Sequence, residues 1–147
     1  MFSLVVSVKR VNSRAKIPAY KTCKAAGFDL ASIEDDFLLR PGETKLVGTG
    51  LAFAVPAGFE MQIRPRSGLS LKTELSIKNA PGTIDSDYRG EVKIIVTNRG
   101  TAPIEITEGM RIAQGVIAPV LQAILLEVEE LDETERGAGG FGHTGTK

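Results

Sequence analysis

Phe59-Glu-Met-Gln-Ile-Arg64 alternates apolar and polar side chains one for one, with Phe59, Met61 and Ile63 against Glu60, Gln62 and Arg64. Successive side chains of an extended chain leave opposite faces, so this run is a half-buried strand with one face in a core. Glu91-Val-Lys-Ile-Ile-Val-Thr97 repeats the pattern through Val92, Ile94 and Val96, and Ile104-Glu-Ile106 is a shorter piece of the same kind. Between such runs sit the turn signals Pro41-Gly42, Pro56-Ala-Gly58, Pro81-Gly82, Arg99-Gly100 and Glu108-Gly109. Together they predict an all-β sandwich or barrel. Two segments admit a helix. Ser67 to Leu75, following Pro65, is predicted to hold a short one. Leu121 to Glu130 reads as strand or helix by periodicity, and strand is preferred because the preceding chain is β.

With 147 residues, 42% hydrophobic and 24% charged, the chain suits one globular domain and no second. Aromatics are 5% and tryptophan is absent, so Val, Ile and Leu must fill the core. Basic and acidic residues balance at 18 each, which argues against a nucleic-acid partner but leaves room for a small anion if arginines gather locally. One cysteine, Cys23, and one histidine, His143, exclude an intrachain disulfide and disfavour a zinc site. Met1-Phe-Ser-Leu-Val-Val-Ser-Val-Lys-Arg10 reads as a first strand, because its basic residues follow the apolar run where a signal peptide has them before it. No stretch approaches the ~18 apolar residues of a membrane span, so a soluble, cytoplasmic protein with no membrane partner is expected.

The tail, Arg136-Gly-Ala-Gly-Gly-Phe-Gly-His-Thr-Gly-Thr-Lys147, has five glycines and one aromatic and cannot bury a core of its own. By composition it is a disordered terminus or an arm that orders against something else. Glycines let backbone N–H groups approach an anion, with Arg136 as phosphate partner and Phe141 as stacking plane. The spacing from Gly137 to Thr144 imitates a phosphate loop, but His143 stands where lysine is needed and no helix can follow.

Arg66-Ser-Gly68, Arg89-Gly90, Arg99-Gly100 and Arg136-Gly137 set a guanidinium beside flexible backbone, a means of meeting phosphate oxygens that is also ordinary in loops. A triphosphate carries about four charges, and one ion pair at about 4 Å is worth roughly 4 kcal/mol at an effective dielectric of 20, so several arginines or a metal are required. In Asn79-Ala-Pro-Gly-Thr-Ile-Asp-Ser-Asp-Tyr-Arg-Gly90, Asp85 and Asp87 leave the same face of extended chain, and one of them can serve as general base. Tyr88 offers a ring to a sugar. The same segment also reads as a plain polar hairpin turn.

Taken in order, Ala25-Ala-Gly-Phe-Asp-Leu30, Pro65-Arg-Ser-Gly-Leu69, Gly82-Thr-Ile-Asp-Ser-Asp-Tyr-Arg-Gly90, Gly109-Met-Arg-Ile-Ala-Gln114 and Arg136-Gly-Ala-Gly-Gly-Phe-Gly142 resemble the five motifs of the trimeric dUTP diphosphatases. The resemblance spans residues 25 to 145. It implies a jelly-roll-like β barrel or sandwich over residues 1–135, a short helix after residue 67 and a flexible arm over 136–147. It also implies a homotrimer with each site shared among subunits, and hydrolysis of dUTP to dUMP and pyrophosphate. That reaction keeps uracil out of DNA and supplies dUMP for thymidylate synthesis. Asp85 resembles the general base. Asn79 and the main chain near Lys93 match positions that read uracil, and Tyr88 matches the residue against the deoxyribose. Arg66, Ser67, Gly68 and Gln114 resemble the phosphate cradle, while Thr83, Ile84, Gly140 and Gly142 fall at substrate-binding positions. Arg136 resembles the clamp on the terminal phosphate and Phe141 the plane stacked on uracil. Asp29 is similar to the aspartate that reaches Mg²⁺ through water, the ion being held mainly by phosphates. Arg89 and Arg111 are assigned supporting work.

Met110, Gly115 and His143 depart from the common pattern of the family, at a position often aspartate, one usually larger and apolar, and one commonly serine. Two alternatives stay open. One is a dCTP deaminase of the same superfamily, alone or bifunctional. The other is a non-catalytic β-sandwich that binds nucleotides or proteins.

Overall fold

The computed structural model describes residues 4–145. Ten strands and one helix follow in chain order: β1 (Ser7–Arg10), β2 (Gly27–Ala31), β3 (Phe37–Leu39), β4 (Thr44–Ala54), β5 (Phe59–Arg64), α1 (Ser67–Lys72), β6 (Leu75–Ile77), β7 (Gly82–Ile84), β8 (Glu91–Asn98), β9 (Ile104–Ile106) and β10 (Arg111–Pro119). Two four-stranded sheets, ordered β1-β4-β8-β6 and β2-β10-β5-β7, are joined by a two-stranded pair, β3-β9. All pairings are antiparallel. Neither large sheet closes on itself, so of the two expected forms the chain adopts the sandwich.

The alternating runs do what their pattern requires. Met61 and Ile63 of β5 and Val92, Ile94 and Val96 of β8 are buried, while Arg64 and Lys93 face out. They meet Leu30, Val47, Leu51 and Ile112 in one apolar cluster drawn from both sheets, which is the single core. Asn98, fully buried at the end of β8, is satisfied on all sides. Its Nδ2 donates to Leu39 O (3.0 Å) and Ala102 O (2.8 Å), and its Oδ1 accepts from Gly100 N (2.8 Å). The Arg99-Gly100 turn therefore serves the fold: a Cβ at Gly100 would stand 2.8 Å from Glu74 Cγ.

Strand β4 carries an irregularity that matters below. Its register on β8 jumps from Gly48 opposite Lys93 to Ala52 opposite Glu91. Gly50 takes a positive φ of 65° in this bulge, a conformation glycine adopts at little cost. Three side chains pin it: Glu34 Oε1 accepts from Gly48 N (2.9 Å), Glu91 Oε1 accepts from Gly50 N (2.9 Å), and Thr49 Oγ1 donates to Val92 O (2.6 Å).

Three expectations are adjusted. The helix after Pro65 ends at Lys72, because Leu75 turns inward as the first residue of β6. The first strand is confined to Ser7–Arg10, and Met1 to Ser3 lie outside the described residues. Leu121 to Glu130 is neither strand nor helix. It has strand composition but no ladder partner among the described residues, and an extended segment without one has no backbone partners for its N–H and C=O groups. Val120 N still donates to Gly58 O (2.9 Å); beyond it Leu121, Ile124 and Leu125 are more than nine-tenths exposed.

Candidate active site

Three groups of the expected residues are built separately. The first lies across the β2-β10-β5 row, where Gln114 stands opposite Asp29 on one side and Arg64 on the other. Past Arg64 the chain turns through Pro65 and Arg66 into α1. Arg66 reaches back to Asp29, donating Nε to Oδ1 (2.7 Å) and Nη2 to Oδ2 (3.5 Å). Arg111 Nη1 donates to Oδ2 of the same carboxylate (2.9 Å), and Arg66 Nη1 donates to Arg111 O (3.1 Å). One carboxylate thus fixes two guanidinium groups, leaving the cluster net positive and suited to an anion. Gln114 Nε2 donates to Pro65 O (2.9 Å), tying β10 to the entry of this turn. A Cβ at Gly27 would stand 2.6 Å from Gln114 Oε1, so the amide occupies space that a side chain at residue 27 would contest. Ser67 and Gly68 open α1, where N–H groups lack intrahelical acceptors, and the space around Gly68 is clear.

The second group is the loop from β7 into β8. A cavity of about 510 Å³ is lined by Leu46, Thr83, Ile84, Asp85, Tyr88 and Lys93, with Glu91, Val92 and Ile95. Asp85 also borders a cavity of about 520 Å³ on its other flank, together with Asp87 and Glu60. It is the aspartate common to both, and it is exposed. The loop is tied by Tyr88 N to Asp85 O (3.2 Å), Arg89 Nη1 to Ser86 O (2.6 Å) and Tyr88 O (3.0 Å), and Tyr88 Oη to Glu91 O (3.0 Å). Arg89 spends its guanidinium on the turn's own carbonyls. Asn79 sits beside this hairpin, its Nδ2 3.2 Å from where a Cβ on Gly82 would lie.

The tail is the third group. Its backbone hydrogen bonds are local turns, Gly139 N to Arg136 O (3.0 Å), His143 N to Gly140 O (3.1 Å) and Gly145 N to Gly142 O (2.8 Å), and Arg136 Nε donates to Gly139 O (2.8 Å). A cavity of about 670 Å³ is lined by tail residues such as Arg136, Gly142 and His143. It is a hollow between turns and holds none of the groups of the other two sites. Phe141 is fully exposed at a φ of 52°. Gly142 also has a positive φ (90°), and Gly140 has open space about its Cα.

Asp29 with Arg66 and Gln114, Asp85 with Tyr88 and Lys93, and Arg136 with Phe141 thus occupy three places in the chain. Motif reading found each group but missed Glu91 and Leu46, which line the Asp85 cavity. Glu91 was within reach, since it lies two residues from Lys93 on the outward face of β8. Leu46 was not, because β4 does not alternate.

The two unclosed sheets make a jelly-roll-like sandwich that carries a net-positive, carboxylate-fixed arginine pair and an exposed aspartate in a hairpin cavity. The chain belongs to the dUTPase family, whose model matches residues 13–145. A relative from Nautilia profundicola, named deoxyuridine 5'-triphosphate nucleotidohydrolase, is 59% identical over 140 residues, covering 95% of this chain and 98% of its own. One of the same name from Syntrophotalea carbinolica is 51% identical over 146 residues and covers 99% of each. Among solved structures, the dUTPase of Staphylococcus bacteriophage 80alpha with dUPNHPP superposes with a TM-score of 0.91 at 30% identity, covering 98% of this chain and 100% of that one. A mutant dUTPase of phage phi11 of S. aureus, described for its coordination of a structural Mg(II) ion, gives 0.81 at 27% identity, covering 88% and 100%.

Proposed function

We propose that the chain hydrolyses dUTP to dUMP and pyrophosphate, lowering dUTP and supplying dUMP for thymidylate synthesis. The observation that carries this reading is the kinship with relatives named deoxyuridine 5'-triphosphate nucleotidohydrolase over nearly the whole length of both chains.

In this reading Asp85 takes a proton from a water molecule as its oxygen attacks the α-phosphorus. The bond from the α-phosphorus to the bridging oxygen breaks, and pyrophosphate leaves with the electron pair. Asn79 and the main chain near Lys93 read the uracil edge, with Thr83 and Ile84 beside them, and Tyr88 lies against the deoxyribose. Arg66, Ser67, Gly68 and Gln114 hold the phosphates. Arg136 closes on the terminal phosphate and Phe141 on the base, with Gly140 and Gly142 bringing backbone N–H groups near, so that closure excludes water. The arm over 136–147 is a unit distinct from the domain over 1–135 in this scheme.

Mg²⁺ fits this chain in one way. Both oxygens of Asp29 already accept from arginine, and the described residues contain no cluster of three or more metal-ligating side chains. Asp29 can therefore meet a hydrated ion through water, with the phosphates as its main ligands. When bound, the ion offsets charge on the phosphates.

A homotrimer with shared sites is part of the same proposal. Its support is the apolar run after β10 that no described residue covers, together with three residue groups held apart. No helix among the described residues is long and apolar enough to cross a membrane. We assign the protein to the cytoplasm, where the exposed free thiol of Cys23 is at home.

Pyrophosphate release measured against dUTP, dTTP, dCTP and UTP in parallel tests the reading. Strong preference for dUTP is expected, since a site built to pair a polar edge rejects a mismatched one by as much as ~10⁴ to 10⁵. Ammonia release from dCTP would overturn it in favour of a deaminase.

A further inference from the structure

We propose that Gly90 is a positioning residue for Tyr88, and through it sets the discrimination between deoxyribose and ribose; the second half rests on the role given to Tyr88 above. A Cβ built on Gly90 would overlap Tyr88 Oη and stand 2.6 Å from Cζ and 3.0 Å from Cε2. The chain path does not itself demand glycine here, because the φ of Gly90 is not among the positive values. Gly42, Gly58 and Gly109 are the opposite case, with positive φ and nothing within 4 Å of a Cβ. Those glycines serve turns. At Gly90 the demand is steric, and the three nearest atoms all belong to one tyrosine side chain.

That ring is held in a definite place. Tyr88 lies over the Gly90 Cα and donates its hydroxyl to Glu91 O (3.0 Å), while the Glu91 side chain accepts from Gly50 N in the β4 bulge (2.9 Å). The carbonyl that receives the tyrosine is therefore fixed to the sandwich through its own residue. Tyr88 is 44% exposed and lines the Asp85 cavity. When a methyl group arrives at residue 90, the half-exposed ring is the partner free to move, and the sandwich beneath it is not. The consequence is a separation of effects. The ring loses its place while little apolar burial is lost, so selectivity falls and stability does not. A glycine needed only for the backbone would give the reverse.

The chain has two tyrosines and no tryptophan, so Tyr20→Phe leaves Tyr88 as the sole strong intrinsic fluorophore. In that background Gly90→Ala is expected to raise iodide quenching of Tyr88 and to lower the dUTP-to-UTP ratio of kcat/KM by about tenfold or more. The melting temperature should stay within ~2 °C. In a Tyr88→Ala background, adding Gly90→Ala should change neither the ratio nor the melting temperature. Unchanged quenching, or an equal loss in both backgrounds, overturns the positioning role, and raised quenching with an unchanged ratio overturns the specificity role. If the unsubstituted protein releases no pyrophosphate from dUTP, the proposed function falls, and the quenching comparison still judges the placement of Tyr88.

Discussion

Arg66 and Asp29 meet side-on, Nε to Oδ1 at 2.7 Å and Nη2 to Oδ2 at 3.5 Å, at a sequence separation of 37. The carboxylate decides where the guanidinium points, since Arg66 lies in the turn before α1 and Asp29 is fixed in a sheet. Asp29→Ala is expected to raise the KM for dUTP about 10- to 100-fold, because Arg66 and Arg111 are then set loose and repel one another. The pair is only partly buried, so the stability cost should be about 1 kcal/mol. Steady-state kinetics beside a urea melt separate the two, and an unchanged KM would refute the organising role.

Asp85→Asn keeps the shape of the side chain and removes the proton acceptor. Turnover should fall by about 10² to 10⁴ while dUTP binding, measured by calorimetry, persists. Near-normal hydrolysis would remove Asp85 from the chemistry.

Deleting residues 136–147 should cripple turnover and leave the melting temperature within ~2 °C, because the described tail residues, 136–145, contribute local turns and no buried side chains. Differential scanning calorimetry on both chains checks it, with a large drop counting against the arm as a separate unit.

Leu125→Asp and Leu126→Asp introduce charge into the uncovered run after β10. On an isolated sandwich such exposed changes are worth less than ~0.5 kcal/mol. In the trimer we propose, the run is covered, and analytical ultracentrifugation should show the assembly weakened. A trimer indifferent to both substitutions would place its contacts elsewhere.

Gly115→Leu puts a side chain where a bare Cβ would already stand 2.7 Å from Phe28 Cε2 and 3.1 Å from Met61 Sδ. Overpacking of this kind costs about 1–3 kcal/mol. Chemical denaturation should show that loss, and Phe28→Ala in the same chain should recover part of it.

These sites also mark what could be read from the residues alone. β5 and β8 were legible because one face of each is buried and the alternation survives. β4 was not: residues 47–53 are buried throughout, and a strand covered on both faces carries no period. β10 fails for the same reason, with its register shift near Arg111 adding to the difficulty. Leu121 to Glu130 misled in the other direction, since composition records the tendency to form a strand and says nothing about a partner. For the candidate site, the resemblance to the family's motifs pointed to Asp29, Arg66, Asp85 and Gln114, whereas the link from Arg111 to Asp29 spans 82 residues and only the β2-β10 pairing creates it. Gly115 looked like a departure from pattern. The edge of Phe28, stacked on Phe53 with ring centroids 6.0 Å apart, fills the space a side chain there would take.

The uncovered run from Leu121 to Leu131 follows every strand of the sandwich in the chain. During synthesis this run therefore emerges directly behind β10, the strand that joins β2 to β5 in the second sheet. The stretch Ala123-Ile-Leu-Leu126 is the kind of sequence that pairs indiscriminately when strand edges are open. In the trimer we propose, emerging behind every strand limits that hazard to the interval before a neighbour covers the run. That interval lengthens as the protein is diluted, so yield of active enzyme on refolding should rise with protein concentration before aggregation takes over.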